Sequence, residues 1–530
     1  MKTWQLWRED KAAVTRQLEE GRKLDGHSSA FGDNDLIIGF LMVEGFWSVL
    51  TETKADLLKK ENGYPPRMLN GLCALRELAG VERIAQSGKV LGDEALLRLV
   101  GFQAEQIETA RADGRLRVDP ETLSNHLSRI SAASVQRSWW EHVQLLKSKR
   151  WYRGGVYAVD GTDITIPYGQ KENYEGSEKR GEAVGYKLVV VLNIDEGHER
   201  VVGWALGGLA RSEKAMLKEI FKGLREQFGR LGDWMDVLVM DRGYWGAEFL
   251  GELKRTEGVD YVTRTRDDEV DVAREVDGLA RLESTKWHEA VEQHSRLGNM
   301  QVRMAGFSGL PLYDGEGKDH GPCQVVIAEE YDLKGGRLPE RPRFRYVTSL
   351  EVDPADKQSV QRIRAYYRRR WSVENQGFWV LTKRWNLDAL AGRNLNAIRA
   401  RLNFVLQLYN AENCCAWKHP GSSDEELPRL KRPPKGERLG RPSIMIYTLD
   451  GRVGSFQADE YERLITAAVT REVTREVTRE VTREVTKAVT AAVEKATRDA
   501  TEAATRKNLK DAISKGLQEG KKIEDILREL

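Results

Sequence analysis

Twice in this chain a short apolar run stops on an aspartate. The first is "VYAVD", Val156 to Asp160. The second is "VLVMD", Val237 to Asp241. Apolar runs of this length, rich in valine and bounded by turn residues, read as buried strands rather than helices. A carboxylate at the end of such a strand either opens a turn or binds something. For Asp160 alone, in "AVDGTD", both readings stand.

The segments around these two runs supply a topology. After Trp151 the hydrophobic period changes from helical to strand-like. "GGVYAVDGTDITIP", "AVGYKLVVVLNID" and "RVVGWALGG" follow one another as three strands, an antiparallel meander. The helix "SEKAMLKEIFKGLREQF" (Ser212 to Phe228) comes next, opened by a serine with Glu213 in its first turn. Then come the strand ending in Asp241, the helix "AEFLGELKRT" and the strand "VDYVTRTR". A right-handed crossover returns the Asp241 strand beside the Asp160 strand. Both aspartates then lie at carboxyl ends of neighbouring parallel strands, where open α/β sheets gather ligands.

Residues 1–150 read as helical, with capped patterns such as "DEALLRLVGF" and the basic-ending stretch Asp119 to Arg150. Residues 151–427 form the expected α/β domain. It carries a β-rich insertion at about 265–350 and a helical stretch from near Asp353. Residues 428–454 read as a linker, basic and rich in Pro and Gly, and 455–530 as a helical tail containing "VTREVTREVTREVTRE". A four-residue repeat drifts around a helix of 3.6 residues per turn. The tail is either an irregular helix packed on a partner or a solvated low-complexity segment.

The bulk numbers limit the function. The chain of 530 residues has room for two to four domains. A net charge of +2 makes any nucleic-acid surface local rather than global. The charged start has no apolar core of a signal peptide, and Glu44 interrupts the stretch Leu36 to Leu50. No membrane association and a cytoplasmic location are expected. Cys73, Cys323, Cys414 and Cys415 have neither zinc nor disulfide spacing, and the eight histidines form no metal-ligand cluster.

A third piece is "AYYRRRWSVENQGFWVLTKRW", Ala365 to Trp385. Tyr367, Arg370 and Glu374 are spaced by three and four, so a helix lines them on one face. Glu374 is the one acid among seven cations between Gln361 and Trp385. Three carboxylates converging on one point repel unless cations sit between them. Mg²⁺ or Mn²⁺, as two ions, suits oxygen ligands and the in-line displacement of phosphate esters. Asp163 rivals Asp160, and Asp195 in "NIDEG" reads as a turn cap. Trp371, Phe378 and Trp379 read as core packing rather than base stacking.

These residues resemble the DDE transposases of bacterial insertion sequences, in the group carrying a Tyr–Arg–Glu–Lys signature. "AVDGTD" matches the context of that family's first Asp, and "VMDRGYWG" that of its second. "YRRRWSVE", Tyr367 to Glu374, fits Tyr-x-x-Arg-x-x-x-Glu. The resemblance spans roughly residues 90–410. It implies an α/β ribonuclease H-like core with a β-rich insertion, preceded by a helical DNA-binding region. It implies Asp160, Asp241 and Glu374 as catalytic metal ligands. The implied partners are terminal inverted repeats, target DNA and a second copy of the chain in a synaptic dimer. Tyr367, Arg370, Arg242, Arg368, Arg369, Lys383 and Arg384 are the expected DNA contacts.

One position departs from the family. Its Lys lies seven residues beyond Glu, where this chain has Leu381. On a regular α-helix Lys383 faces away from Glu374, and Arg384 lies nearer the right side. The rival functions are a ribonuclease H-like nuclease without strand transfer and a transposase-derived DNA-binding protein that does not cut.

Overall fold

The computed structural model describes residues 7–529 apart from 23, 32–33, 57–62, 153–154, 167–172, 195–198, 266–270, 295–297, 332–342 and 419–442. Asp195 and the stretch 428–442 therefore lie outside the described residues. The chain divides into two compact units. One comprises Met1–Asp10 with Gly26–Gln457, the other Lys11–Asp25 with Ala458–Leu530.

The larger unit is built on a ten-stranded sheet. Its strands are β1 (Val156–Thr165), β2 (Glu178–Arg180), β3 (Ala183–Asn193), β4 (Arg200–Gly208) and β5 (Val237–Met240), followed by β6 (Asp260–Arg264), β7 (His288–His294), β8 (Gly298–Tyr313), β9 (Asp319–Tyr331) and β10 (Phe344–Thr348). The order across the sheet is β2-β3-β1-β5-β6-β10-β9-β8-β7, with β4 paired to β3. Strands β1, β5 and β6 run parallel. All four residues of β5 are buried, the continuous apolar pattern expected of a strand covered on both faces.

The β-rich stretch at 265–350 is continuous with this sheet. β10 pairs antiparallel with β6 through Tyr346↔Arg264 and Thr348↔Val262. Sequence pattern alone sets the stretch apart because its strands alternate and carry glycines, whereas the parallel centre is uniformly apolar.

The helical region before residue 150 shares its core with a later helix, Leu395–Lys418. The joint is polar and buried. Gln407 donates to the Ser138 hydroxyl at 2.9 Å, and Thr53 donates to it at 2.8 Å. Asn410 donates to His142 Nε2 at 3.2 Å and to the Val201 carbonyl at 2.8 Å. The expected boundary at residue 150 is thus not a gap in packing. The end of the expected 428–454 linker is also structured. Ser443–Tyr447 and Arg452–Gln457 form a hairpin in a second, four-stranded sheet with Arg8–Glu9 and Asp25–Ser29. Apolar "SIMIY" carries that strand, and the flanking prolines hide it from a composition-based reading.

Four cysteines are free and buried. Among the described residues no helix is long and apolar enough to cross a membrane.

Burial holds His126 down to about 4 and His142 to about 3. His126 donates through Nε2 to the Asn70 carbonyl oxygen at 2.7 Å, so both rings are neutral in the fold. A histidine depressed in the folded state stabilises above its unfolded value, near 6.5, and loses that contribution as pH falls toward the folded value. Urea midpoints are expected to change little from pH 8 to about 6.5 and to fall steeply from there toward 4. A midpoint equal at pH 7 and pH 5 would contradict this assignment.

Candidate active site

Strand register sets the two aspartates side by side. The parallel pairing of β1 with β5 ends at Val159↔Met240. Asp160 and Asp241 are the next residue on each strand, where the two chains part. β1 itself continues to Thr165, with Asp160 opposite Val190 of β3. Asp160 therefore sits inside a strand rather than at a strand end. Gly161 follows, close to the Glu213 carboxylate: a Cβ there would lie 2.8 Å from the Glu213 carboxyl carbon, so that side chain would have to shift. Its backbone N–H donates to Asp160 Oδ1 at 2.9 Å. The rival Asp163 is turned to Arg180 and Lys187, three residues away and on the other face of the strand.

The third carboxylate comes from a helix locked onto the antiparallel half of the sheet. This helix, α1 (Lys357–Arg369), is capped by Asp356, which accepts from Gln358 and Ser359. Arg364, 3% exposed, donates to Glu330 at 2.6 Å, to Glu292 at 3.1 Å and to the Tyr346 hydroxyl at 2.9 Å. Breaking a buried pair of this kind costs about 3–5 kcal/mol because the remaining charge is stranded. The network therefore fixes the rotation of α1 and with it the direction of Tyr367.

After α1 the helix widens. Val373–Phe378 is a π-turn, with the Trp379 N–H bonded to the Glu374 carbonyl five residues back. Single π-turns inside helices recur at functional sites. Gly377 allows this one, since a Cβ there would stand 3.1 Å from Leu192 of β3. Tyr367, Arg370 and Glu374 thus share a face across a helix–π junction rather than along one α-helix.

Arg370 joins the pieces. Its Nη1 donates to Asp160 Oδ2 at 2.7 Å and to Glu374 Oε1 at 2.8 Å. Tyr367 donates through its hydroxyl to Asp241 Oδ1 at 3.1 Å. Asp241 is further held by Thr263, whose hydroxyl donates to its carbonyl at 3.3 Å. Burial pushes the Asp160 carboxyl up to about 6, Arg370 opposes that rise, and Glu374 and Asp241 add to it. Burial and the Asp241 charge push Tyr367 up to about 12, so it stays a donor. Among the described residues no group of three or more His, Cys, Asp or Glu stands close enough to hold a metal ion. In the arrangement seen, a guanidinium is the shared counter-charge of Asp160 and Glu374.

The other expected contacts divide. Arg368 is bonded to Glu292 at 2.6 Å and to the Gln293 carbonyl at 3.0 Å. Arg369 reaches the Ile194 carbonyl at 2.6 Å. Both are tied to the protein itself. Arg242, directly after Asp241, is exposed. The π-turn adds one residue to the winding between Glu374 and Lys383. That brings exposed Lys383 to within roughly a quarter-turn of the Glu374 side and carries Arg384 away. Arg384 lies 5.5 Å over the Trp379 ring.

Trp371 and Trp379 correct the expectation of core packing. They are 51% and 50% exposed, while Phe378 is buried.

A cavity of about 970 Å³ opens beside Asp241, lined by Tyr367, Arg370, Trp371, Phe344 and Arg264. The sequence reading missed Arg264, at the end of β6. Its guanidinium lies 4.7 Å over Phe344 and 6.0 Å over Tyr367. Only its place two strands from Asp160, on the last parallel strand, could have marked it.

Residues 151–411 match the family model described as "Transposase DDE domain". The match supports a DDE transposase and takes in all three carboxylates. Among solved structures, a cryo-EM structure of the piggyBac transposase synaptic complex with hairpin DNA aligns over 77% of this chain and 81% of that one. Its sequence identity is 11% and its TM-score 0.37, a loose likeness. No curated protein matches the chain.

A double-mutant cycle tests the central contact. Asp160→Asn and Arg370→Gln are expected to show a coupling of about 1–3 kcal/mol in urea unfolding. Additive effects would mean that the two groups do not share the interaction.

Proposed function

We propose that the chain is a metal-dependent DNA transposase of the bacterial insertion-sequence type, acting in the cytoplasm. The reading is carried by one observation. Three carboxylates from separate stretches, Asp160, Asp241 and Glu374, are tied to one Tyr–Arg pair within the segment that matches the transposase domain.

The residues suit a hard divalent cation. The donors are carboxylate oxygens without thiol or imidazole, and burial together with the neighbouring Glu374 and Asp241 charges raises the Asp160 carboxyl despite Arg370, an environment that a further cation would relieve. Asp160, Asp241 and Glu374 would hold Mg²⁺ or Mn²⁺, two ions in the usual form of this chemistry. When bound, such ions activate the attacking oxygen and stabilise the leaving oxygen at phosphorus.

The protein's own groups would do the rest. Tyr367 holds Asp241 in place and remains protonated. Arg370 orients Asp160 and Glu374 and offers its guanidinium to a phosphate oxygen once those carboxylates are otherwise neutralised. Arg242, Arg264 and Lys383 supply positive charge for the strand around the reacting phosphate. Attack by water breaks the P–O3′ bond at the element end and leaves a 3′-hydroxyl and a 5′-phosphate. That hydroxyl then attacks a phosphorus of target DNA, forming a new P–O3′ bond as the target's own P–O3′ bond breaks and frees a target 3′-hydroxyl. The helical region before residue 150 would recognise the inverted repeats, with two copies of the chain in the synaptic complex.

The test is cleavage of labelled DNA carrying the gene's own flanking ends, with Mg²⁺ or Mn²⁺. Nicks at the element boundary that leave 3′-hydroxyls are expected. Asp241→Asn is expected to lower the rate by about 10²–10³-fold, the scale of losing a principal electrostatic group. Tight binding of the ends with no cleavage under either metal would instead identify a DNA-binding relative that has lost catalysis. Cleavage without joining would identify a nuclease.

A further inference from the structure

The smaller unit is dominated by one helix, α2 (Ala458–Gln518), of 61 residues. Every fourth residue from Val469 to Val493 is valine, and each is 54–58% exposed. The short helix Lys11–Glu19 lies against the start of α2, with Lys11 2.7 Å from Glu460 and Glu19 3.6 Å from Arg471. From Val469 to Asp511 every residue of α2 is exposed.

Such a helix does not sustain itself. Half of the VTRE repeat is Val and Thr, which rank low as helix formers. The threonine hydroxyls bond back to the carbonyl four residues earlier, as Thr474 does to Thr470 at 2.7 Å, a contact that slightly weakens helices. Glu–Arg pairs three apart, such as Glu472 with Arg475, return a few tenths of a kcal/mol each. Most helical stability comes from covering an apolar face, and here that face is bare.

We propose that the valine ridge of α2 is covered by α2 of a second copy of this chain, parallel and in register. Three features select that occupant. First, the ridge follows the i±4 rows, and rows of this kind interdigitate best with rows of the same kind on another helix. Second, the repeat carries one Arg and one Glu, so two copies meet without net repulsion. Third, flank chemistry selects the direction. In a frame that winds with the ridge, Val faces the partner, Arg faces water, Glu lies on one flank and Thr on the other. A parallel pair sets each Glu flank against a Thr flank, where the hydroxyl can donate. An antiparallel pair sets Glu against Glu. Because the spacing of four exceeds 3.6, the two helices wind right-handedly. Synapsis of two DNA ends calls for two copies, but the pairing argued here stands without that reading.

The test uses the full chain without DNA or metal. Light scattering at micromolar concentration should give twice the chain mass. Replacing Val473, Val477, Val481 and Val485 by Ala should halve it. Alanine is the better helix former, so a loss of pairing cannot come from weaker intrinsic helicity. A monomeric wild type, or an alanine variant that keeps the double mass, would overturn the proposal. Direction has its own readout. The native cysteines are buried, so Val481→Cys places a lone exposed thiol on the ridge. Mild oxidation should link Val481→Cys chains in pairs and leave Arg483→Cys chains unlinked. Equal linking of both, or of neither, would overturn the parallel register. None of these outcomes bears on cleavage, so failure here leaves the proposed activity to its own test.

Discussion

Everything at the candidate site depends on one guanidinium. Arg370 bonds to Asp160 on the sheet and to Glu374 on the helix. Without a cation between them, two carboxylates at this distance repel by several kcal/mol at the effective dielectric of a partly buried site. The sheet delivers Asp160 and Asp241 through register alone. The helix delivers Glu374 only because Arg364 and its glutamates fix the helix against β9 and β7, and because the π-turn redirects it. The site is thus a junction of two independently rigid pieces, and Arg370 is the contact across it.

This arrangement explains why the neighbouring arginines differ in role. Arg364 and Arg368 are spent on Glu330 and Glu292 and hold architecture. Arg369 is spent on a strand-end carbonyl. Arg370 has carboxylates that a divalent ion could neutralise in its place, which would free it for phosphate. A basic helix read from composition looks uniform, yet its charges are sorted by what each one faces.

Much of the main sheet and of the candidate site was legible in the sequence. "VYAVD" and "VLVMD" announced buried strands, and the meander–helix–strand order put Asp160 beside Asp241. Glu374 followed from its spacing to Tyr367 and Arg370. What escaped was set by long-range contacts. The π-turn at 373–378 brings Gly377 close to Leu192 of a distant strand, a contact no local pattern reveals. Trp371 and Trp379 are exposed where local spacing suggested core. Strand β10 extends the main sheet by pairing with β6, a partner about eighty residues away in sequence. Arg264 was missed because its stacking partners, Phe344 and Tyr367, come from distant segments.

The central claim is that Asp160, Asp241 and Glu374 form one cation site. Replacing the native ion with Fe²⁺ and generating hydroxyl radicals with ascorbate and peroxide would cut the backbone wherever the ion sits. The account predicts cuts clustered near residues 160, 241 and 374, suppressed by excess Mg²⁺. Cuts at one of these stretches alone, or cuts indifferent to Mg²⁺, would contradict a shared site.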